Sequence, residues 1–344
     1  MKKTIILGLE SSCDETAAAI VADGWEVLSS VIASQGKIHE KYGGVVPEIA
    51  ARAHIENLLP VLHEAFDRSG VTAGQLDAVA VAACPGLTPS LIIAVTAAKT
   101  LAWAWNKPLI AVNHIHSHLQ AVMLDADQNC FPAVALVVSG GHTSLYSCRH
   151  PLELKLIGST RDDAAGESFD KVAMILKLPY PGGPSIEKAA RTGNPRAFRF
   201  TRSFLDKDSL DFSFSGLKTA VLYHCRGQNM LGEDRVPQMT AQEIADIAAS
   251  FQAAVVDVLI RKTLLAARQQ QAKTILLGGG VAANSALREQ LQTACDREHL
   301  KLIVAEKKYC TDNAAMVAGL AWHKLQAGLT ADLYLGPHAS HADL

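Results

Sequence analysis

The run Asn113-His114-Ile115-His116-Ser117-His118 places three histidines within five residues. His114 and His118 are spaced i, i+4. On a helix that spacing puts both imidazoles on one face, ~6 Å apart, close enough to hold one metal ion. His116 points elsewhere. Surface or helix-capping histidines are the competing reading, and spacing alone does not exclude it. A zinc protease of the H-E-x-x-H type is disfavoured, because Ile115 stands where the glutamate base would be. Asp312, in Cys310-Thr311-Asp312-Asn313, is the candidate carboxylate to complete the set. Two histidines and one carboxylate leave positions open for substrate oxygens and suit divalent iron, or zinc. Thr311 or Asp312 equally reads as the N-cap of a following helix.

Three glycine-rich turns form a second group: Val138-Ser139-Gly140-Gly141-His142, Pro181-Gly182-Gly183-Pro184 and Gly278-Gly279-Gly280-Val281-Ala282-Ala283-Asn284. Glycine lets backbone N–H groups approach phosphate or ribose oxygens. Two of these turns directly follow strands, which favours a nucleotide cleft over plain turns. No G-x-x-x-x-G-K-[ST] occurs, and no G-x-G-x-x-G follows the first strand, so P-loop and Rossmann dehydrogenase readings fail. Asp162, Asp163, Glu167, Asp170 and Lys171 crowd a small-residue turn. They read as a solvated helix start or as the lining of a polar cleft, where Asp170 could accept from ribose hydroxyls or an adenine amine. Lys188, Arg191, Arg196, Arg199 and Arg202 interleave with Phe198, Phe200 and Phe204. Arginine for phosphate and phenylalanine for stacking suits RNA; a solvated basic loop over a small apolar cluster is the alternative.

Strands alternating with helices must position these groups. Apolar runs at 4–9, 16–21 and 27–33 read as a strand meander around Glu10-Ser11-Ser12-Cys13-Asp14-Glu15. Pro47 opens a helix to about Arg68. A buried strand at 76–83, a helix at 90–105 and a short strand at 109–112 follow, and His114 starts another helix. Strands at 133–138 and 143–148 repeat the opening pattern around a small polar turn. Ile244, Ile247, Ala248, Phe251, Val255, Val258 and Leu259 share one helix face. A strand at 274–277 leads to a helix from about Asn284, and a last helix spans about 313–326. The Pro/Gly/Arg-rich stretch 179–202 reads as an irregular surface insertion. The recurrence predicts an α/β protein of two similar lobes with a cleft between them. The expected lobes are 1–112 plus 313–344, and 113–312, the second carrying most of the metal and nucleotide site.

Composition bounds the functional classes. The chain has 344 residues, 49% hydrophobic and 19% charged, which excludes a disordered, collagen-like or coiled-coil protein. Lys+Arg total 32 against Asp+Glu 34, so nucleic-acid contact needs a local patch or a partner. Seven dispersed cysteines without a C-x-x-C suit a reducing cytosol and exclude a zinc ribbon. No apolar run is long enough for a signal-peptide core or a membrane span, so the expected location is cytoplasmic, away from membranes.

Read together, these motifs resemble the tRNA N6-adenosine threonylcarbamoyltransferase family. The likeness runs in order along nearly the whole chain. It includes Gly8-Leu9-Glu10-Ser11-Ser12-Cys13-Asp14-Glu15-Thr16, Asp162 to Lys171, Tyr180-Pro181-Gly182-Gly183-Pro184, Phe212-Ser213-Phe214-Ser215-Gly216-Leu217-Lys218-Thr219, Gly278 to Asn284 and Cys310 to Asn313. It implies the fold of the actin, sugar-kinase and heat-shock ATPase superfamily. It also implies transfer of threonylcarbamoyl from threonylcarbamoyl-AMP to N6 of adenosine 37 in tRNAs reading codons that begin with A. By that likeness His114, His118 and Asp312 hold the metal, Fe(2+) or Zn(2+). Val138, Ser139, Gly140, Gly141, His142, Asp170, Gly183, Glu187 and Asn284 contact the adenylate substrate, or ATP. Implied partners are tRNA, an inactive paralogue of the TsaB type and a P-loop ATPase of the TsaE type. Asp14 or Glu15 is a candidate for the base that takes the amine proton, beside a role in organising the turn. Ser117 stands where the family has Gly or Ala, and His116 where Glu is common. Competing readings are a glycoprotein metalloprotease and an ATP-binding chaperone- or kinase-like protein of the same superfamily.

Overall fold

The computed structural model describes residues 2–124, 130–204, 206, 208–227 and 233–340. The first part of the chain forms β1 (Ile5–Glu10), β2 (Glu15–Ala22), β3 (Glu26–Ser34), α1 (Gly36–His39), α2 (Pro47–Ser69), β4 (Ala78–Cys84), α3 (Thr88–Ala104), β5 (Leu109–Asn113) and α4 (His114–Ala121). Then come β6 (Ala133–Val138), β7 (Thr143–His150), β8 (Glu153–Ser159), α5 (Ala165–Ile175), α6 (Gly182–Ala190), α7 (Ser215–Arg226) and α8 (Ala241–Gln269). The chain continues through β9 (Thr274–Gly278), α9 (Ser285–Arg297), β10 (Lys301–Val304) and α10 (Ala314–Gln326).

Two compact units result. The first comprises 1–129, 150–153 and 305–344; the second comprises 130–149 and 154–304. Their sheets have strand orders β3-β2-β1-β4-β5 and β10-β9-β6-β7-β8. Renumbered from its own first strand, the second order mirrors the first. In each, the first two strands pair antiparallel, and the fourth and fifth add in parallel on the other side of the first. The repeat expected from residue 133 is therefore real.

The unit boundaries differ from those expected at 112 and 312. Residue 113 ends β5 and caps α4, so strand and helix are contiguous and cannot be divided there. Ala121 and Leu124 pack with α10 in one core cluster, which ties this stretch to the first unit.

Alternating residues on β1 serve the two faces of the first sheet. Ile6 packs with Ala314, Ala318 and Ala321 of α10, while Leu7 and Leu9 pack with Val61 and Leu62 of α2 and Ala94 and Ala98 of α3. Small side chains let α10 come close. A Cβ at Gly8 would lie 2.4 Å from the Ala314 carbonyl oxygen. The segment after α10 caps the start of edge strand β5, where Ala331 N donates to Leu109 O (2.8 Å), and reaches the end of β4, where His338 N donates to Ala83 O (2.9 Å).

The stretch 179–202 is not wholly irregular, since α6 occupies Gly182–Ala190. Its Pro and Gly stand at the helix start, where the first N–H groups have no intrahelical partner and proline is tolerated. The strands β8 and β10 and the helix α7 were not expected from the sequence pattern.

Candidate metal centre and glycine-rich site

Asn113 sets the start of α4. Its Oδ1 accepts from Ile115 N (2.9 Å) and His116 N (3.2 Å), so the helix begins at His114 and His118 falls one turn later. The two rings lie 4.8 Å apart between centroids. Asp312 arrives from the far end of the unit. The cap of α10 is Asn313, which accepts from Met316 N (3.0 Å), rather than Thr311 or Asp312. The Asp312 carboxylate thus faces the histidines: Oδ1 is 3.1 Å from His118 Nε2 and 3.5 Å from His114 Nε2.

One donor atom from each of His114, His118 and Asp312 lies within 4.8 Å of the other two. A tetrahedral ion with ~2.1 Å bonds separates its ligand atoms by about 3.4 Å, so small side-chain adjustments suffice. Two imidazole nitrogens and a carboxylate oxygen directed at one point fit a divalent metal. His116 lies outside the group.

Behind His114, its Nδ1 lies 2.9 Å from Oε2 of Glu10 and 3.1 Å from Oγ of Ser12. Glu10 is wholly buried, and its Oε1 accepts from Ser12 N. Burial opposes a charge on His114, but Glu10 and then Asp312 outweigh it and raise its pKa to about 9. His118 has a different environment: its Nδ1 is buried without a partner among the described residues. The sequence reading gave Glu10 and Ser12 no role. The available signal was a carboxylate ending an apolar strand; its partner lies 104 residues away.

Asp14 closes the same turn, and Glu15 opens β2. Burial, then the charges of Asp312 and Asp14, push Glu15 up to about 10. In these surroundings Glu15 holds its proton more tightly than a free carboxyl does. The Ser34 hydroxyl donates to Glu15 (3.2 Å), which ties the turn to β3. Buried His54 supports the turn from α2, with Nε2 3.0 Å from Cys13 O and Nδ1 2.8 Å from the Thr16 hydroxyl. This too was unforeseen.

In the second unit, Val138 ends β6 and the 139–142 turn closes with Ser139 N donating to His142 O (2.8 Å). Gly166 N and Glu167 N at the start of α5 donate to Ser139 O and Gly140 O. Gly279, at φ +91°, brings the β9 turn against β6; a Cβ there would lie 2.4 Å from Val138 O. By contrast, Cβ atoms at Gly140, Gly141 and Gly183 would meet nothing within 4 Å. These glycines present open backbone.

The remaining sequence-selected residues tie this unit together. Asp170 Oδ1 accepts from Gly182 N (2.7 Å), fixing α6 to α5. Glu187 Oε1 accepts from Ser285 N (3.1 Å). Asn284 caps α9 by accepting from Leu287 N (3.0 Å), and its amide donates to Gln252 (2.8 Å). Asp162 and Asp163 serve structure rather than an open cleft. Asp162 accepts from Phe214 N (2.8 Å) and Ser215 N (3.2 Å), and Asp163 pairs with Lys171 and Lys218, each at 2.8 Å. Burial works against ionisation of both, but these partners hold their pKa values below the ordinary 3.8.

The basic stretch divides. Arg191, Arg196 and Arg199 are exposed, while Arg202 pairs with Asp257 (2.7 Å). Phe200 is buried, Phe198 lies against His224 (4.4 Å between centroids), and Arg261 covers Phe204 (5.3 Å). The aromatics thus pack inward.

Comparison with known proteins gives concordant matches. The family model for tRNA N6-adenosine threonylcarbamoyltransferase matches residues 26–319. An enzyme of that name from Moorella thermoacetica is 52% identical over 322 residues, covering 94% of this chain and 92% of its own length. Another from Rhodopirellula baltica is 49% identical over 345 aligned positions, covering 96% and 95%. Among solved structures, full-length HypF superposes with a TM-score of 0.61 at 14% identity, over 95% of this chain and 56% of HypF. The (R)-2-hydroxyglutaryl-CoA dehydratase component A of Acidaminococcus fermentans gives 0.51 at 14%, over 94% and 99%. At such identities these two structures show a shared fold and nothing further.

Proposed function

Because the chain belongs to the tRNA N6-adenosine threonylcarbamoyltransferase family, we propose that His114, His118 and Asp312 hold the catalytic metal and that the glycine-rich turns of the second unit take the adenylate. The chain is a transferase that modifies tRNA. Its reaction moves threonylcarbamoyl from threonylcarbamoyl-AMP to N6 of adenosine 37, in tRNAs reading codons that begin with A. The convergence of two histidine nitrogens on one carboxylate oxygen carries the metal assignment. Fe(2+) is the proposed native ion, with Zn(2+) able to replace it.

The donor is a mixed carbamoyl–phosphoric anhydride. When bound, a divalent ion supplies Lewis acidity to its phosphate as AMP departs. Gly140, Gly141 and Gly183 leave room for substrate against the backbone, so their N–H groups can stabilise negative charge. Val138, Ser139, His142, Asp170, Glu187 and Asn284 are proposed to line that site. The acceptor amine is a weak nucleophile, so orientation contributes most. Asp14 and Glu15 are proposed to organise their turn, with the Ser34 hydroxyl holding Glu15 from β3.

A protease reading lacks a base. Glu10, bonded to the nearer histidine, has both oxygens engaged, by Ser12 N and His114 Nδ1. A TsaB-type paralogue and a TsaE-type ATPase are proposed partners; exposed Ile55 and Leu59 on α2 and Ile92 and Trp103 on α3 offer the first an apolar surface. No helix among the described residues is long and apolar enough to cross a membrane. A cytoplasmic location is proposed, and the lack of a disulfide among the described residues accords with it.

The test is transfer of labelled threonine from threonylcarbamoyl-AMP to unmodified tRNA, with the proposed partners present. His118→Ala should lose bound metal and more than ~100-fold of the transfer rate while remaining folded. A metal-free, fully active variant would overturn the assignment.

A further inference from the structure

We propose that Glu10 is the positioning residue that fixes which nitrogen of His114 meets the metal, an inference that rests on reading His114, His118 and Asp312 as the metal centre. The argument follows from which groups can donate. The backbone N–H of Ser12 only donates, so Oε1 of Glu10 must accept from it. Oε2 of the same carboxylate, 2.9 Å from His114 Nδ1, also only accepts. His114 therefore carries a proton on Nδ1, in the cation as in the neutral ring that takes a metal. The lone pair of the neutral ring then lies on Nε2, the nitrogen facing Asp312 at 3.5 Å. Ser12 Oγ, 3.1 Å from Nδ1, can accept or donate and fits without deciding the tautomer.

His118 lacks such a partner, because its buried Nδ1 meets none among the described residues. The two ligands therefore differ in preparation. His114 is oriented before the ion arrives, and His118 is set by the ion and Asp312. A carboxylate behind a ligating histidine also raises the basicity of the ligating nitrogen.

Glutamine at position 10 creates a conflict that glutamate does not. It keeps the shape but has one acceptor oxygen for two donors. Ser12 N can only donate, so the amide oxygen must stay there and the NH2 turns to His114. Nδ1 must then accept, the ring proton moves to Nε2, and the ligating lone pair is lost.

The experiment is 15N NMR of the histidine-labelled, metal-free full chain, followed by Zn(2+) titration. The expected parent result is a protonated His114 Nδ1 before and after zinc. In Glu10→Gln, Nδ1 should lose its proton and zinc affinity should fall ~10–100-fold, whereas Ser12→Ala should stay within about threefold of the parent. A bare Nδ1 with a protonated Nε2 in the metal-free parent overturns the proposal, and that reading needs no variant to fold. Folded Glu10→Gln that binds zinc like the parent overturns it as well. Zinc held equally by the parent and His118→Ala overturns the metal centre itself, an outcome distinct from the proton's position on His114.

Discussion

The two sheets share one strand order, yet the turns leaving their first strands carry different chemistry. After β1, Glu10, Ser11 and Ser12 are buried and bonded through their side chains; Ser11, for example, donates to Ser90 O (2.8 Å). After β6, the equivalent turn exposes Gly140 and Gly141, whose Cβ positions are empty. The later turns diverge likewise. β5 runs into the histidine helix, and β9 into Gly279-Gly280. The first unit works with side-chain donors, and the second offers backbone. A repeated fold thus supplies two scaffolds, and its turn residues decide what each one binds.

The largest test of this contrast is in its packing. Gly8→Ala drives a Cβ toward Ala314 O, and Gly279→Ala drives one toward Val138 O besides straining a positive φ. Each should cost about 2–3 kcal/mol in denaturant unfolding. Near-parental midpoints would mean that the close approaches are not needed. Gly183→Val should be smaller in effect and more specific. Nothing in the protein lies within 4 Å of that Cβ, so folding should be unchanged. The KM for threonylcarbamoyl-AMP should rise ~10-fold with metal content intact; an unchanged KM would remove the turn from the substrate site.

Neutralising Arg191, Arg196 and Arg199 together should weaken tRNA binding several-fold and reduce its log–log salt slope by roughly 2–3. Arg202→Ala should change the slope least, because Asp257 already engages that guanidinium. Equal effects from all four arginines would break this division.

The smallest expected effect separates the units by acid. Burial, and then the charge of His150, hold His323 down to about 4, against an ordinary 6.5. Between those values the unfolded chain binds more protons, so stability falls as pH drops through that window. The second unit's Asp162 and Asp163, held below 3.8, give way only at lower pH. All four tryptophans lie in the first unit, so their fluorescence follows it alone. Its unfolding midpoint in urea should drop between pH 6.5 and 4, and His323→Asn should flatten that drop.

Strand runs and the repeat were legible because apolar periodicity is local. So was the His114–His118 pair, whose i, i+4 spacing needs only a helix. The start of α7 was not. Phe214-Ser215-Gly216 resembles a turn until Asp162, 52 residues earlier, accepts from its N–H groups. β10 is four partly exposed residues, too short to show alternation. The unit boundary was misplaced because a change of element at residue 113 resembled a change of domain. Glu10 was in view, but its partner could be known only from the fold.

The first unit is discontinuous in sequence, and this orders events during synthesis. Nearly all of the second unit is encoded in one stretch, 130–149 and 154–304, whereas the first waits for residues from 305 onward. Ribosomes emit about 5–20 residues per second and domains fold as they become complete. The later-encoded unit can therefore fold first, while β1, already emerged, still lacks α10 to cover it. Asp312 emerges with that same late segment. A nascent chain holds His114 and His118 without the carboxylate that faces them until Asp312 emerges, so on the proposed assignment metal capture waits until α10 can close the core.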